Sequence, residues 1–235
     1  MKETKTYCTV PAPVFTGAFL FPPSERRNIM STRTEAVNTG VRRITGVKFI
    51  TVTAIPNAIA VVLQYLEFPV PFFIPPFVKF DFSDLPAILA AFLVSPVSGI
   101  AVCLLKNVIH LAVSASVGVG ELCNFLLGVV MVIPSWLIYK IKPSKTNALI
   151  AMIAGSAIVA VASIFINYYI SYPFYQTFMP LDAIIGEYQK LNGGVGSLWD
   201  ALIWFNMPFT FIKFMLDSLI VFFIYKPLAK AIRRN

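Results

Sequence analysis

Lys213 and Asp217 interrupt the apolar run NMPFTFIKFMLDSLIVFFIYK at 206–226. An ionised side chain at membrane depth costs about 2.5–3.5 kcal/mol or more unless it meets a partner or a wet cavity. Both charges therefore need a reason. At 100° per residue, Asn206, Thr210, Lys213 and Asp217 fall within about 60° of one another, one polar stripe on an apolar helix. Upstream, Lys106 and His110 stand one turn apart with Asn107 and Ser114 beside them, and Glu121, Asn124 and Gly128 share a face. Asn167 is followed by Tyr168 and Tyr169 near the end of another apolar run.

Amides, hydroxyls and a lysine gathered from several helices suit the carbonyl and ring-nitrogen edge of a flat ligand better than a phosphate. Aromatic side chains including Phe77, Phe80, Phe82, Tyr168, Trp204 and Phe209 supply walls for such a ring, although part of that set belongs to the aromatic belt of a membrane interface. Simpler roles stay open beside this one. Lys213 and Asp217, at i and i+4, could neutralise each other; His110 could be a helix-packing group, Glu121 a charge at its helix start, and the asparagines bonds between helices. The chain holds no GxxxxGK[ST] phosphate loop, HExxH, CxxC or GxSxG. It has no motif for hydrolysing ATP, and an intramembrane enzyme built on Lys106, His110, Glu121 and Asp84 would lack a recognisable nucleophile.

The elements that must position these residues follow from composition. At 57% hydrophobic and 13% charged, 235 residues are too apolar for a soluble domain of that length. The sequence predicts an all-α integral membrane protein with six transmembrane helices at roughly 47–67, 84–96, 97–113, 121–140, 147–171 and 203–226. The second and third are short, split by Pro96 and Gly99. Strands are disfavoured because the apolar runs are continuous and lack a period of two.

The formal charge of +8 raises nucleic acid as a partner, but its placement excludes that. Arg42, Arg43, Lys48, Lys140, Lys142, Lys145, Lys226, Lys230, Arg233 and Arg234 flank helix ends, and with six spans they all fall on one side. The positive-inside rule makes that side cytoplasmic, with both termini. The acids Glu67, Asp81, Asp84, Glu121, Asp182, Glu187 and Asp200 collect opposite. Given this orientation the polar stripes converge on a cup opening outward with its floor near the midplane, and the apolar inner half offers no polar path across. Cys8, Cys103 and Cys123 show no pairing logic and read as packing thiols.

Residues 1–40 read as a polar, disordered N-terminal tail without a cleavable signal, with Met30 as an alternative start, ahead of a six-helix transmembrane substrate-binding domain over 41–235. The connection FPVPFFIPPFVKFDFSDLP at 68–86 has four prolines before FVKFDF, an alternation suited to a short extended lid. The stretch 172–202 reads as a long outward loop. AIPNA at 54–58 places Ala54 and Ala58 on one face where another helix can approach closely. A chain that binds outside, has no through-path and no engine reads as one subunit of a larger machine.

KFDFSDLPAILAAFLVSPVSGIAVCLLKNVIHL (79–111), GELCNFLLG (120–128), NYYISYPFY (167–175) and PFTFIK (208–213), in that order, resemble the riboflavin-specific substrate-binding (S) component of energy-coupling factor transporters over about residues 45–230. The resemblance implies a six-helix vitamin-binding membrane subunit that joins a transmembrane coupling protein and two cytoplasmic ATPases, and a lid from the first connection. It implies that Ala54 and Ala58 face the coupling protein, and that Asn167, Thr210 and Lys213 hold the polar edge of the isoalloxazine ring. Thr210 departs from the asparagine of the family pattern, though a hydroxyl still donates or accepts. Transport would tip the whole subunit in the bilayer.

The expected activity is therefore riboflavin capture at the outer face of a bacterial plasma membrane for ATP-driven uptake, with no cofactor and no metal. The substrate-binding set is Asn167, Thr210, Lys213, Lys106, Asn107, Glu121, Asn124, Asp84, Phe80 and Tyr168. Lys106 and Asn107 are assigned there to the ribityl hydroxyls. The alternatives are an S component for another vitamin or precursor, or an intramembrane enzyme.

Overall fold

The computed structural model describes residues 46–114 and 116–234. The tail reading, with Cys8 and Met30, lies outside them. In chain order the described residues form α1 (Gly46–Tyr65), β1 (Phe68–Pro69), β2 (Lys79–Phe80), α2 (Leu85–Leu93), α3 (Pro96–His110), α4 (Val119–Ile141), α5 (Lys145–Ile166), α6 (Tyr172–Tyr175), α7 (Leu181–Gln189), α8 (Leu198–Ala201) and α9 (Met207–Arg234). The π-helical turns Asn167–Ser171 and Leu202–Asn206 join α5 to α6 and α8 to α9 without a break in the chain of helix.

Four of the described helical runs are long and apolar enough to cross a bilayer: Pro96–Val113, Val119–Ile141, Lys145–Tyr175 and Leu198–Tyr225. Their polarity is inverted relative to a soluble protein. On α3, Lys106, Asn107 and His110 are buried while Leu104, Leu105, Val108 and Ile109 are exposed. Apolar side chains facing outward around a charged interior require lipid as the solvent. The chain is thus a mostly helical membrane protein.

Two expectations change. The helix expected over 84–96 is the nine-residue α2, which at 1.5 Å per residue rises only about 14 Å, half a hydrocarbon core. Pro86 through Phe92 are all buried, so α2 is a packed plug inside the fold and not a lipid-facing span. It ends where Pro96 opens α3, whose cap Ser95 accepts a hydrogen bond from the Ser98 N–H. The expected loop at 172–202 is largely helical: α7 buries Ile184 and Tyr188, one turn apart, and Ser197 caps α8 by accepting from the Asp200 N–H. The short amphipathic repeat of LDAIIGEYQ is easily missed beside the neighbouring GGVG.

The extended segment expected at 77–82 is seen in β2, which pairs antiparallel with β1 so that Phe68 lies opposite Phe80 and Pro69 opposite Lys79. Lys79 Nζ meets Glu67 Oε1 at 2.5 Å across the base of this ribbon. Between the strands Ile74 is fully buried beside Phe80, Tyr172 and Phe209, which pins the Pro-rich segment over the helix ends.

Small residues set how closely α2, α3 and α4 approach. A Cβ on Gly99 of α3 would lie 2.8 Å from Ala91 Cβ, 2.9 Å from the Ala87 carbonyl oxygen and 3.1 Å from Val132 Cγ1. Backbone on one side leaves no room to yield. Gly99→Ala is expected to destabilise the protein by about 1–3 kcal/mol through overpacking, measured as a fall in the thermal unfolding midpoint in detergent.

Candidate functional site

The polar stripes meet where α3, α4, the α5–α6 turn and the start of α9 surround the segment after β2. Lys213 of α9 donates from Nζ to Asp81 Oδ2 at 2.8 Å and lies 3.1 Å from Asp84 Oδ2, the latter a charge contact without hydrogen-bond alignment. Lys106 of α3 donates to Asp84 Oδ1 at 2.7 Å and to Ser83 Oγ at 2.5 Å. Ser83 in turn donates to Asp81 through its hydroxyl, and through its backbone N–H at 2.8 Å. The result is a closed ring, Lys106–Asp84–Lys213–Asp81–Ser83, with two positive and two negative charges. Burial alone would raise the Asp81 carboxyl, but the Lys213 and Lys106 charges outweigh it and hold the group well below the ordinary carboxylate range.

Above this ring lies a cavity of about 330 Å³, within the usual range for small-molecule sites. Asn124, Asn167, Thr210, Lys213, Glu121 and His110 all line it. Among the described residues the side chains of Asn124, Asn167 and Thr210 have no hydrogen-bond partner in the protein, so their amide and hydroxyl groups are available to a ligand. At one end Glu121 accepts from Ser114 Oγ at 2.7 Å and Ser116 Oγ at 3.2 Å and faces His110 Nδ1 at 2.9 Å. On another wall Tyr188 donates to Asn206 Oδ1 at 2.6 Å and Asn206 Nδ2 donates to Tyr172 at 3.1 Å, while the two tyrosine hydroxyls bond to each other. Burial pushes the Tyr188 hydroxyl well above the ordinary phenol value, so this wall is neutral. Ile74, Phe77, Phe209 and Phe214 complete the apolar lining.

Not every expected site residue reaches the cavity. Lys106 is 0% exposed and bound into the ring, and Asp84, 1% exposed, is its counter-ion. Asn107 is turned away, accepting from Gln64 Nε2 at 3.0 Å and donating to the Cys103 carbonyl at 2.7 Å. The assignment of Lys106 and Asn107 to ligand hydroxyls is corrected accordingly: both are spent on packing between helices. Phe80 packs against Phe82 and Phe209 behind the lining, and Tyr168 stacks on Trp199 with centroids 4.4 Å apart, outside the cavity. Lys213 and Asp217 do not neutralise each other either: Asp217 is fully buried and neither carboxyl oxygen has a hydrogen-bond partner. Cys103 and Cys123 are free and buried, and no cluster of metal-ligating side chains occurs among the described residues.

Comparison with known proteins decides the family. The model for "ECF transporter, substrate-specific component" matches residues 48–225. The chain belongs to the substrate-specific components of ECF transporters. It is 31% identical over 178 residues to "Riboflavin transporter RibU" of Staphylococcus aureus (strain TCH60), covering 76% of this chain and 88% of that protein. It is 30% identical over 182 residues to "Riboflavin transporter FmnP" of Bacillus subtilis (strain 168), covering 76% and 90%. A solved structure described as "Structure and mechanism of the S component of a bacterial ECF transporter" aligns with a TM-score of 0.63 at 29% identity, over 79% of this chain and 97% of that one. The functional class follows: this chain is the substrate-specific component of a transporter, and not an enzyme.

For this S component, sequence reasoning passed over Asp81 as a site residue. The available signal was a count: two lysines within apolar runs, and only KFDFSD offering two carboxylates close together to meet them. Gln64 lines the cavity with no sequence signal that singles it out, while Tyr172 belongs to the aromatic set from which walls were expected. The ring makes a sharp contrast testable. Asp84→Asn leaves two buried lysines short of a counter-ion and is expected to cost about 3–5 kcal/mol. Asp217→Asn removes an unpartnered carboxyl and is expected to be neutral or stabilising. Thermal unfolding of both variants in the same detergent checks the pair.

Proposed function

We propose that this ECF S component captures riboflavin at the outer face of a bacterial plasma membrane and delivers it inward with a transmembrane coupling protein and two cytoplasmic ATPases. The observation that carries the reading is the cavity floor. Lys213, Asn167, Thr210 and Asn124 present one cation and three unpartnered polar groups to a single aromatic-walled space, in a chain about 30% identical to proteins named riboflavin transporters. Lys213 and Asn167 would bind the carbonyl and nitrogen edge of the isoalloxazine, with Thr210 beside them and Phe77 and Phe209 against its faces. Asn124 and Glu121 take over the ribityl hydroxyls from Lys106 and Asn107.

The charge balance favours a neutral guest. Each lysine lining the cavity already faces a carboxylate: Lys213 meets Asp81 and Lys79 meets Glu67. A ring carbonyl needs a donor, not a net charge, so it is accommodated where a phosphate would compete with these carboxylates.

In this reading α1 and α2 join the four long runs to give six crossings or partial crossings, with both termini cytoplasmic and the β1–β2 ribbon as the outer lid. Ala54 and Ala58 are exposed on α1, in keeping with a face free to meet the coupling protein.

The purified full chain is expected to carry a yellow chromophore with a flavin visible spectrum; a colourless protein that fails to bind added riboflavin would overturn the proposal. Lys213→Ala should weaken riboflavin at least tenfold, about 1.4 kcal/mol, and lower stability by stranding Asp81. Asn167→Ala should weaken binding without that loss of stability, because Asn167 holds nothing else. Fluorescence titration with riboflavin reads the affinity, and unchanged binding in both variants would remove the polar edge from this site. Replacing Ala54 and Ala58 with leucine should spare riboflavin binding and abolish co-purification with the coupling protein.

A further inference from the structure

A second cavity, of about 500 Å³, lies at the opposite end of the helices from the first. It is bounded by Phe92 at the end of α2, Tyr139 near the end of α4, Ala148 and Met152 in the first turns of α5, and Phe222 and Tyr225 of α9. Its walls are apolar by construction. Tyr139 and Tyr225 share a hydrogen bond at 2.9 Å between their hydroxyls, and Phe92 meets Tyr139 edge-on at 5.0 Å, so the polar tips of the tyrosines are satisfied within the wall. Phe223 also lines the space and is 69% exposed, so the cavity wall reaches the apolar outer surface.

The rim has one sign of charge. Pro143, Ser144 and Lys145 of the α4–α5 connection close its edge. Lys142 and Lys145 are exposed, and neither has a carboxylate partner among the described residues. Lys140 nearby lies over the Trp136 ring at 4.6 Å. No Asp or Glu occurs anywhere in 85–120, 122–181 or 218–235, so none of the segments forming this end supplies a counter-ion. The 22-residue α5 begins at the same rim, adding the positive end of a helix dipole to the lysines.

From this geometry we infer that the cavity is a binding site for an anionic phospholipid, one acyl chain lying among Phe92, Tyr139, Met152 and Phe222 and the phosphate set against Lys142 and Lys145. An apolar slot opening to lipid selects a chain, and an unneutralised cationic rim selects the sign of the headgroup. A soluble anion would gain nothing from the slot, and a zwitterionic lipid brings its own cation to the lysines. The site is independent of the flavin reading.

The test uses the delipidated full chain in detergent and native mass spectrometry, titrated with dioleoyl phosphatidylglycerol or dioleoyl phosphatidylcholine. At least tenfold better retention of one phosphatidylglycerol molecule is expected. The Lys142→Gln, Lys145→Gln double variant should bring it down to the phosphatidylcholine level, and Ala148→Leu should reduce retention of both lipids by narrowing the slot. Thermal unfolding confirms that each variant is folded. Equal retention of the two lipids, or a preference that survives in the double variant, overturns the proposal. So does loss of coupling-protein assembly in the double variant with lipid retention unchanged, which would assign the face to that protein instead.

Discussion

Four charges buried in one ring hold the upper half of this molecule together. Lys106 and Lys213 come from two different helices, while Asp81 and Asp84 come from the short segment between β2 and α2, and Lys213 and Asp84 each meet two opposite charges of the ring. Coulomb attraction is strong where water is scarce, and so is the penalty for any one partner left alone. The ring therefore fixes the position of the segment after the lid relative to α3 and α9 more tightly than apolar packing would. In a bilayer the exclusion of water does little to bring helices together, because lipid tails are as apolar as leucine side chains, so packing, small-residue contacts and polar bonds carry the specificity.

That constraint shapes the site above it. Because Asp81 and Asp84 occupy one side of the Lys213 ammonium, the lysine is oriented before any ligand arrives, with N–H donors to spare beyond its bond to Asp81. The unpartnered amides of Asn124 and Asn167 and the hydroxyl of Thr210 sit around it on other elements. A preorganised donor set of this kind loses little freedom on binding, which is how a small cavity reaches useful affinity. The aromatic ribbon from Phe68 to Phe82 is tied to the same charges through Asp81, so the ribbon and the cavity floor share one anchor.

The two ends of the molecule are specialised by charge as well as shape. Around the first cavity both lysines face a carboxylate, while around the second the lysines have none. Acids near the basic rim would cancel its attraction for anions, and the segments that form that end carry none.

Composition, continuous apolar runs and the placement of lysines made the membrane class legible, and period-3.6 stripes put Thr210, Lys213, Glu121 and Asn124 on faces that line the cavity, where the family resemblance also put Asn167. The family followed from local motifs, because KFDFSDLP and its neighbours are contiguous in the chain. Which groups touch was beyond such reading. Helical spacing made Asp217 the natural partner of Lys213, four residues away, yet the lysine bonds to Asp81, 132 residues distant. Lys106 and Asn107 share a face with His110, and only the close approach of α1 and α2 turns those two into packing while His110 reaches the cavity. Periodicity defines which side of a helix is polar; the rotation and depth of one helix against another decide what that side meets, and these depend on the packing of all of them at once.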